Sequence, residues 1–415
     1  MGMARDLALR AKQAAAQLAQ CDDATLSNAL RAMADALMAH EADMLSANAL
    51  DIKAARQKGL PEAMIERLTL TPKRIEGMAN GLREVAALPS PLGAVEYQST
   101  RPNGLRIESR RVPFGVIGVI FESRPNVTAD AAGLCVKSGN AVLLRGGSEA
   151  LQSNLAVAQA LLDGARKAGL PEDAVVMMAD PDRAHVEEML RLDGIIDLLV
   201  PRGGAGLIQN VADNATVPVL RTGTGMCHVY VHSQADARMA VEIIVNAKAN
   251  RPSTCNAAET LLIDAAIAAD FLPSCVKALK AAGVELRGDQ AACALSPDVL
   301  PAREGEWDDE HLSLVLGVSI VSDMQAALAH IDAHGTRHSE AIVTRDERAA
   351  VAFMAAVDAA AVYHNASTRF TDGGEFGLGA EIGISNQKLH ARGPVGIAQL
   401  TTIKYYCFGE GQLRA

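Results

Sequence analysis

The spacing of apolar residues divides the chain into a helical beginning and a longer part in which strands and helices alternate. From residue 1 to about residue 88, Ala, Leu and Met recur every three or four residues among charged ones, which predicts amphipathic helices. The stretch 95–112 alternates residue by residue and predicts a half-exposed β-hairpin. Its polar face carries Arg106, Arg110 and Arg111. Such a charged hairpin is either a guarded sheet edge or a surface that pairs with another subunit.

Beyond residue 112, short apolar runs alternate with helical stretches, which predicts parallel sheets covered on both faces. A first series of runs lies at 115–121, 141–144, 174–178, 196–200, 217–220 and 229–231, and a second series lies at 260–263, 314–321, 341–344 and 361–363. We therefore predict two consecutive α/β domains. The run at 398–406 lies far from both series and is a candidate to join a neighbouring subunit's sheet, in a dimer or higher oligomer.

Composition narrows the possible partners. The 415 residues contain 39 Lys and Arg against 49 Asp and Glu, a net charge of −10, which argues against a nucleic-acid partner. No apolar run reaches the roughly 18 residues that a membrane span needs. The seven scattered cysteines lack CxxC spacing, so we expect reduced thiols and a cytoplasmic protein. Aromatic residues make up only 3% of the chain, so we expect an aliphatic core.

Cys255 is the strongest candidate nucleophile. It lies in the polar, Pro-containing loop 251–257, between a predicted helix and an apolar run, whereas Cys135, Cys275 and Cys293 lie in apolar helical contexts. A thiolate in such a loop can be stabilised by backbone amides and cations. The alternative is that Cys255 is an ordinary structural cysteine.

Polar and glycine-rich turns follow several strands of the first series. Asn126 follows the first run and precedes a predicted helix, so its amide either caps that helix or donates to an oxyanion. The turns 145–149 and 202–206 place glycines between a strand and a helix, where a phosphate can approach backbone amides. Two such turns on successive strands favour a nucleotide site.

Three histidines share a spacing that would allow metal binding on a helix. They are His330, His334 and His338. Gly335 is expected to end the helix before the third, and no Asp, Glu or Cys completes a convincing ligand set. We therefore predict no metal site.

These features together resemble the aldehyde dehydrogenase superfamily, and within it the γ-glutamyl phosphate reductases, over nearly the whole chain. The motifs that carry the resemblance are VPFGVIGVIFESRPNVTADAAGLCVKSGNAVLLRGGSEA, RPSTCNAAETLL, VSDMQAALAHIDAHGTRHSEAIVT, YHNASTRFTDGGEFGLGAEIGIS and HARGPVG. The third motif distinguishes this branch from ordinary aldehyde dehydrogenases. The resemblance implies an aldehyde-dehydrogenase-like α/β fold of two parallel-sheet domains with a small β oligomerisation element.

The resemblance also assigns domains. Residues 1–94 and 113–230 would bind NADP(H), and residues 231–365 would form the catalytic domain. Residues 95–112 and 385–415 would form the oligomerisation hairpin and terminal strand.

Site residues follow from the same resemblance. Cys255 would be the nucleophile, and Asn126 with the Cys255 backbone amide would hold the oxyanion. The cofactor's adenosine end would meet Arg145, Gly146, Gly147 and Ser148, its pyrophosphate would lie beside Gly203 and Gly204, and a ribose would be held by Glu310. Arg145 could contact the 2′-phosphate and favour NADP over NAD. The cations expected to bind the substrate's phosphate and α-carboxylate are Arg251, Arg369, His364 and Arg221.

One departure from the family pattern bears on the reaction. Aldehyde dehydrogenases that use water carry a general-base Glu in a Glu-Leu-Gly-Gly motif, and the matching stretch here, 220–227, contains no carboxylate. A base that activates water would destroy a thioester intermediate by hydrolysis. The departure therefore favours an acyl-phosphate reductase.

The expected reaction is reduction of L-glutamyl 5-phosphate by NADPH, through a thioester on Cys255, in proline biosynthesis. Association with glutamate 5-kinase is plausible because acyl phosphates hydrolyse easily. Three alternatives stay open: a CoA-acylating or other aldehyde dehydrogenase, a cysteine hydrolase, and a non-catalytic oligomeric scaffold.

Overall fold

The computed structural model describes residues 2–414 and has a mixed α/β fold. The chain divides into two compact units. The first unit comprises Met1–Thr222, Gly377–Gly383 and Val395–Ala415, and the second comprises Gly223–Phe376 and Ile384–Pro394. Within residues 2–414, every helix is too short or too polar to cross a lipid bilayer.

The helices and strands follow one another along the chain in the order that the apolar runs predict. The α-helices are α1 Met3–Leu18, α2 Asp23–Ala39, α3 Glu41–Gln57, α4 Glu62–Leu68, α5 Pro72–Ala87, α6 Asn126–Lys137, α7 Leu151–Lys167, α8 Ala184–Met189, α9 Ala205–Asn214, α10 Ala237–Ala249, α11 Ala265–Ala281, α12 Gln290–Leu295, α13 Met324–His334 and α14 Glu347–Ala356. The strands are β1 Val95–Thr100, β2 Arg106–Pro113, β3 Val116–Phe121, β4 Ala141–Gly146, β5 Val175–Met177, β6 Leu198–Arg202, β7 Cys227–Val231, β8 Ala258–Asp264, β9 Glu285–Gly288, β10 Leu300–Pro301, β11 Val315–Val321, β12 Ser339–Val343, β13 Ala361–His364, β14 Ile384–Ser385, β15 Gly393–Pro394 and β16 Thr401–Phe408.

The first unit contains a four-stranded parallel sheet in the order β5-β4-β3-β6. All six residues of β3 and of β4 are buried, which is the pattern of central strands covered on both faces. Because the strands are parallel, the residues that follow β3, β4 and β6 lie at one edge of the sheet. The sheet thus brings the polar residues after β3 and the two glycine turns to its carboxyl edge.

The prediction of a strand at 217–220 is wrong, because this run does not form a full strand. The structure forms a single parallel bridge between Leu199 and Val219. Pro218 lies in the middle of the run and has no N–H to donate to a ladder, although its carbonyl accepts from Leu199 N at 2.8 Å. The run therefore only borders β6.

The second unit contains a seven-stranded parallel sheet in the order β10-β9-β11-β8-β7-β12-β13. Its aliphatic core includes residues of β7, β8, α10 and α11. All five helices α10–α14 are capped by an aspartate whose side chain accepts a hydrogen bond from the first turn. Such a cap contributes about 1 kcal/mol, so the sequence marks each helix start in this unit.

One strand of the second unit was not predicted from the apolar pattern. Strand β9 has the sequence Glu-Leu-Arg-Gly, in which only one residue is aliphatic. Its Arg287 is nonetheless nearly buried, because the guanidinium forms ion pairs with Glu285 and Glu306. Short polar strands of this kind give no apolar run, and only their neighbours in the sheet reveal them.

The predicted hairpin is present, but its partner strand is supplied by the same chain. Strands β1, β2 and β16 form an antiparallel sheet in which β2 lies in the centre. On β2, Glu108 is buried and pairs with Arg106 and Arg110, and the Arg106 guanidinium lies 4.0 Å from the ring centre of Phe408. The terminal strand therefore pairs with the hairpin of its own chain and forms an edge of this sheet, so the predicted pairing with a neighbouring subunit stays a prediction.

The boundary between the units also differs from the prediction at residue 230. It lies after Thr222, because β7 pairs with β8 and β12 and so belongs to the second sheet. The predicted terminal element 385–415 is divided, since β14 and β15 belong to the second unit and β16 to the first. Position along the chain alone did not reveal which sheet each strand joins.

Candidate active site

Cys255 lies in a turn that immediately precedes β8, at the amino edge of the second sheet. Strand β7 starts at Cys227, whose register partner is Ala258, and the neighbouring β12 starts at Ser339. The thiol of Cys255 is partly exposed. The turn 254–256, called here the nucleophile loop, is therefore reachable by a substrate and is backed by the starts of two buried strands.

Side chains from the segment 367–371 bind the nucleophile loop on both sides of Cys255. Arg369 Nη1 donates to Thr254 Oγ1 at 2.9 Å and also to Asn256 Oδ1. Asn256 Nδ2 donates to the carbonyl of Thr371 at 2.9 Å, and Thr368 Oγ1 donates to the carbonyl of Asn256 at 2.7 Å. These contacts fix the backbone before and after Cys255.

The start of β7 packs against the backbone of Cys255 from the buried side. A Cβ atom at Gly225 would lie 1.4 Å from the Cys255 carbonyl oxygen, so no side chain fits there. The Cys227 thiol donates to the same oxygen, with a sulfur–oxygen distance of 3.2 Å. The Cys255 carbonyl is thus held between a glycine and a buried thiol.

Glu310 lies beside this segment. Its Oε1 accepts a hydrogen bond from Gly225 N at 2.7 Å, and burial raises the pKa of its carboxyl. The stretch 220–227 has no carboxylate of its own, but the tertiary structure brings one to it. Because one oxygen of Glu310 is bound to the Gly225 amide, this carboxylate also helps to hold the glycine against Cys255.

A buried ion pair supports the strand that follows the nucleophile loop. Lys248 on α10 and Glu259 on β8 are 0% and 1% exposed, and Lys248 Nζ lies 2.7 Å from Glu259 Oε2. Burial raises the pKa of Glu259, and Lys248 opposes this shift. Neither residue was predicted from the sequence. The available signal was a charged residue within the apolar run that starts β8.

Two guanidinium groups lie near Cys255. Burial is the main cause that lowers the pKa of Arg369, the nearby charge of Arg251 lowers it further, and the charge of Cys255 raises it. Arg369 Nε also donates to Asn250 Oδ1 at 3.3 Å, while Arg251 is exposed. The structure therefore places Arg369 beside the nucleophile and Arg251 beside Arg369.

His364 lies at the opposite edge of the second sheet from Cys255. His364 ends β13, so it lies at the carboxyl edge of the second sheet, whereas Cys255 lies at the amino edge. Its ring nitrogen is 3.0 Å from the carbonyl oxygen of Thr344. Arg221 is exposed and belongs to the first unit. The prediction of His364 as a substrate ligand rested on its position in a motif, and the strand direction separates it from Cys255.

Three of the other cysteines are more buried than Cys255. Cys135, Cys227 and Cys275 are buried, and burial raises the pKa of each thiol, to about 12 for Cys275. All seven cysteines are reduced in the structure. Partial exposure together with nearby arginines singles out Cys255 as a reactive thiol.

The carboxyl edge of the first sheet carries the residues expected to bind a cofactor. Arg145 on β4 is 9% exposed, and its Nη2 donates to the carbonyl of Pro181 at 2.6 Å. Its Nε is buried without a hydrogen-bond partner in the described structure, and burial lowers the pKa of the guanidinium. A buried cation with an unsatisfied N–H suits an anionic ligand.

The two predicted glycine turns meet carboxylates at this edge. A Cβ atom at Gly146 would lie 2.1 Å from Asn154 Nδ2, and one at Gly147 would lie 2.2 Å from Glu149 Oε1. Ser148 begins a short 3-10 helix that leads into α7. Glu149 itself accepts from both the amide and the hydroxyl of Ser123, each at 2.7 Å. Side chains of Asn154 and Glu149 thus fill the space beside the two glycines.

Gly203 and Gly204 precede α9, where backbone amides point out of the helix. Glu122 Oε2 accepts from Gly204 N at 2.9 Å, and a Cβ atom at Gly203 would lie 2.3 Å from the same oxygen. A carboxylate therefore rests at the helix start where the resemblance places a pyrophosphate. The amide is suited to bind an anion there.

Asn126 is the first residue of α6, so it lies inside the helix that it was predicted to precede. Pro125 occupies the cap position, and the Asn126 side chain donates from Nδ2 to Asp130 Oδ2 at 2.9 Å. The capping hypothesis for Asn126 is therefore wrong, because a cap would accept from a backbone amide.

The three histidines do not share one helix. Helix α13 ends at His334, with Gly335 as its cap, and the rings of His330 and His334 lie 4.7 Å apart. His338 lies beyond the helix, with its Nδ1 3.7 Å from Cys227 Sγ. Among residues 2–414, no group of His, Cys, Asp and Glu has the arrangement of a metal site.

Comparison with known proteins identifies the family. A sequence profile described as "Aldehyde dehydrogenase family" matches residues 4–299. A γ-glutamyl phosphate reductase from Moorella thermoacetica is 55% identical over 405 residues, which cover 98% of this chain and 97% of that protein. The reductase from Thermoanaerobacter pseudethanolicus is 52% identical over 407 residues, which cover 98% of each.

Solved structures agree with these relatives. The γ-glutamyl phosphate reductase from Thermotoga maritima aligns over 100% of both chains, with a TM-score of 0.97 and 45% identity. An acetylating aldehyde dehydrogenase from Geobacillus thermoglucosidasius aligns over 99% of this chain and 97% of its own, with a TM-score of 0.71 and 19% identity, which shows a shared fold.

Proposed function

The chain belongs to the aldehyde dehydrogenase family, and within it to the γ-glutamyl phosphate reductases; from this we propose that it reduces L-glutamyl 5-phosphate to L-glutamate 5-semialdehyde and phosphate, using NADPH, in proline biosynthesis. Full-length identity above 50% to named reductases supports the substrate and the reductive step. The observation that carries the chemistry is the nucleophile loop, in which a partly exposed thiol lies between two residues bound by Arg369.

Cys255 attacks the acyl carbon of the substrate as a thiolate. A cation favours the thiolate over the thiol, and Arg369 is held near Cys255 by Thr254 and Asn256. The carbon–oxygen bond to phosphate then breaks, phosphate leaves with the bonding electrons and a proton from solvent, and a thioester remains on Cys255. Arg251 and Arg369 are suited to bind the departing phosphate, whereas His364 is not, because it lies at the opposite edge of the sheet.

The thioester must survive until it is reduced. The stretch 220–227 supplies no base, and Gly225 packs directly on the Cys255 carbonyl. One carboxylate oxygen of Glu310 accepts a hydrogen bond from Gly225 N. Because this bond restrains the side chain, Glu310 is poorly placed to act as a general base that activates water. These features support transfer of the acyl group without hydrolysis.

A nicotinamide cofactor suits the family, and it supplies the hydride that reduces the thioester carbon when it is bound. Arg145, with its buried unsatisfied Nε, is suited to hold an anionic group such as the 2′-phosphate of NADP. Gly146, Gly147, Ser148, Gly203 and Gly204 lie on the same carboxyl edge. Glu310 lies in the second unit and binds Gly225, which leaves its second oxygen to accept a ribose hydroxyl. The preference for NADP is part of this proposal.

Asn126 is assigned to the oxyanion, with the Cys255 amide as the second donor. It lies at the carboxyl edge of the first sheet with an exposed side chain. An amide N–H that meets the developing oxyanion stabilises it, and loss of one such donor costs about 10²–10³ in kcat.

We further propose that the protein is a cytoplasmic homo-oligomer. The sheet β1-β2-β16 has β1 and β16 as its edges, with Tyr97 and Tyr405 exposed, and such edges suit a homo-oligomer. Association with glutamate 5-kinase would protect the labile acyl phosphate. Seven reduced cysteines suit the cytoplasm.

The reverse reaction tests the proposal. Purified protein is given L-glutamate 5-semialdehyde, NADP and inorganic phosphate, and NADPH formation is followed by absorbance. We expect formation that requires phosphate and is lost in Cys255→Ser, while Cys275→Ser, a buried thiol of the same unit, retains it. Equal rates without phosphate would contradict an acyl-phosphate product. A requirement for coenzyme A in place of phosphate would instead identify a CoA-acylating dehydrogenase.

A further inference from the structure

Asn126 and Asp130 face each other across one turn of α6. They are four residues apart, a spacing that places side chains on the same helix face. Asn126 Nδ2 lies 2.9 Å from Asp130 Oδ2. The Asn126 amide therefore donates a hydrogen bond to the Asp130 carboxyl group. Asp130 has no role in the reaction described above.

An asparagine amide must point the correct way to stabilise an oxyanion. Its Nδ2 carries two hydrogens and donates, whereas its Oδ1 only accepts and would repel an oxyanion. The two ends have almost the same shape, so sterics alone do not choose between them. An ionised carboxylate has no hydrogen to donate, and it therefore selects the orientation in which Nδ2 faces it.

We propose that Asp130 is a positioning residue that fixes the orientation of the Asn126 amide, so that one Nδ2 hydrogen binds Asp130 and the other is presented to the oxyanion. This inference rests on the proposed function, in which Asn126 is the oxyanion donor. Asp130 itself does not contact the substrate.

The charge state of Asp130 makes this role dependent on pH. Burial raises the pKa of Asp130 to about 6, and the hydrogen bond from Asn126 and the charge of Arg202 oppose the shift. Among the described residues, Arg202 at the end of β6 is the charged group that acts on Asp130 from a neighbouring element. Above about pH 6 the carboxylate is ionised and selects Nδ2. Below that pH the protonated acid can donate to Oδ1, and the reversed amide becomes equally acceptable.

A double-mutant cycle with pH profiles tests the proposal. The rate of NADP reduction by glutamate 5-semialdehyde and phosphate is measured at saturating substrates from about pH 5 to about pH 8 for wild type, Asp130→Asn, Asp130→Glu, Asn126→Ala and the double variant. Phosphate also ionises in this range, but equally for every variant, so only the differences between profiles are interpreted. Thermal unfolding of each variant reports on the fold.

In wild type, kcat should fall as the pH drops through about 6. Asp130→Asn should lower kcat by roughly threefold to tenfold at pH 7.5 with little change in KM, and it should lose the acid limb, because a neutral amide accepts either orientation. Asp130→Glu should restore much of the rate and keep the limb. In the Asn126→Ala background, Asp130→Asn should have no further effect.

Failure of the inference and failure of the proposed function give different results. If Asn126→Ala leaves kcat unchanged, the assignment of Asn126 to the oxyanion is wrong. If Asn126→Ala lowers kcat strongly but Asp130→Asn lowers it equally in both backgrounds, or keeps the acid limb, the positioning role is wrong. If Asp130→Asn does not fold, the cycle is repeated with Asp130→Ser; unfolding of both variants would mean that Asp130 has a structural role instead.

Discussion

The functional edges of the two sheets are built in opposite ways. At the amino edge of the second sheet, Cys255 is fixed by neighbours on both sides and behind, through Arg369, Thr368, Gly225 and Cys227. At the carboxyl edge of the first sheet, backbone amides and Arg145 offer donors, and one of these amides, that of Gly204, donates to the Glu122 carboxylate. One edge fixes the proposed nucleophile, and the other leaves donors for the proposed cofactor.

The difference follows from what each edge must do. A nucleophile gains from exact placement, because a shift of about 1 Å can cost a hundredfold in rate. A cofactor site must admit and release its ligand. A hydrogen-bond donor that has no partner, or whose partner is a side chain, can form a new hydrogen bond with an arriving cofactor. Substitutions at the two edges should therefore have different consequences.

The largest expected effect concerns the buried pair behind the nucleophile loop. Lys248→Met leaves the Glu259 carboxyl buried without its partner, and removal of one partner of a buried pair costs about 3–5 kcal/mol in the free energy of unfolding. Urea unfolding followed by circular dichroism measures this loss. The matched control is Lys388→Met, because the exposed Lys388–Asp358 pair should contribute less than about 1 kcal/mol.

Recovery of stability in the variant Lys248→Met/Glu259→Leu would show that the loss comes from the unpaired carboxyl. If Lys248→Met and Lys388→Met destabilised the protein equally, the picture of a tightly supported amino edge would be wrong.

The next largest effect contrasts one glycine from each edge. In Gly225→Ala the new methyl would meet the Cys255 carbonyl oxygen at 1.4 Å, so the nucleophile loop must shift and kcat should fall by about a hundredfold. In Gly204→Ala the nearest atom is Glu122 Oε2 at 3.9 Å, so kcat should change little. Steady-state kinetics on both variants measures the contrast. Equal losses would show that the two edges are equally constrained.

Arg369 should matter through both its charge and its hydrogen bonds. Arg369→Gln should lower kcat by roughly tenfold or more and move alkylation of Cys255 by iodoacetamide to higher pH, because a cation no longer favours the thiolate. Arg369→Lys keeps the charge but not the bidentate contacts, so it should restore the alkylation profile more fully than kcat. An unchanged alkylation profile in Arg369→Gln would remove Arg369 from the thiolate's environment.

The smallest effect concerns the open edge. Arg145→Met should raise the KM for NADPH by about tenfold and leave the KM for NADH nearly unchanged, because only NADPH carries the 2′-phosphate. Folding stability should change little, since the substitution removes a buried guanidinium whose Nε has no partner in the described structure. Equal increases in the KM values for NADPH and NADH would mean that Arg145 does not bind the 2′-phosphate.

Much of the fold was predictable, because local patterns suffice where strands are apolar and helix starts are marked. The runs that became β3, β4, β8 and β11 consist mostly of apolar residues, and the helices of the second unit begin after an aspartate. The pairing of strands within the sheets was less predictable. Strand β9 is polar, and β16 joins β2 of its own chain, since partners distant in sequence leave no local mark.

The site was predictable to a similar extent. Cys255 stands out because its loop is polar, and the glycine turns stand out because they follow strands. The error at His364 and the missed pair Lys248–Glu259 share one cause: distance along the chain does not report which end of a strand a residue occupies or which charges meet inside the protein.

The sequence by itself determined the family, the alternation of strands and helices, and the choice of Cys255 as the candidate nucleophile, because each of these follows from residue type and spacing. Only the tertiary structure decided what surrounds that cysteine. Arg369, Gly225 and Glu310 are separated from Cys255 by at least 30 positions along the chain, yet they fix its backbone or its charge. Parallel strands bring their starts to one edge regardless of the distance between them in the sequence, and side-chain contacts at that edge then depend on the fold as a whole.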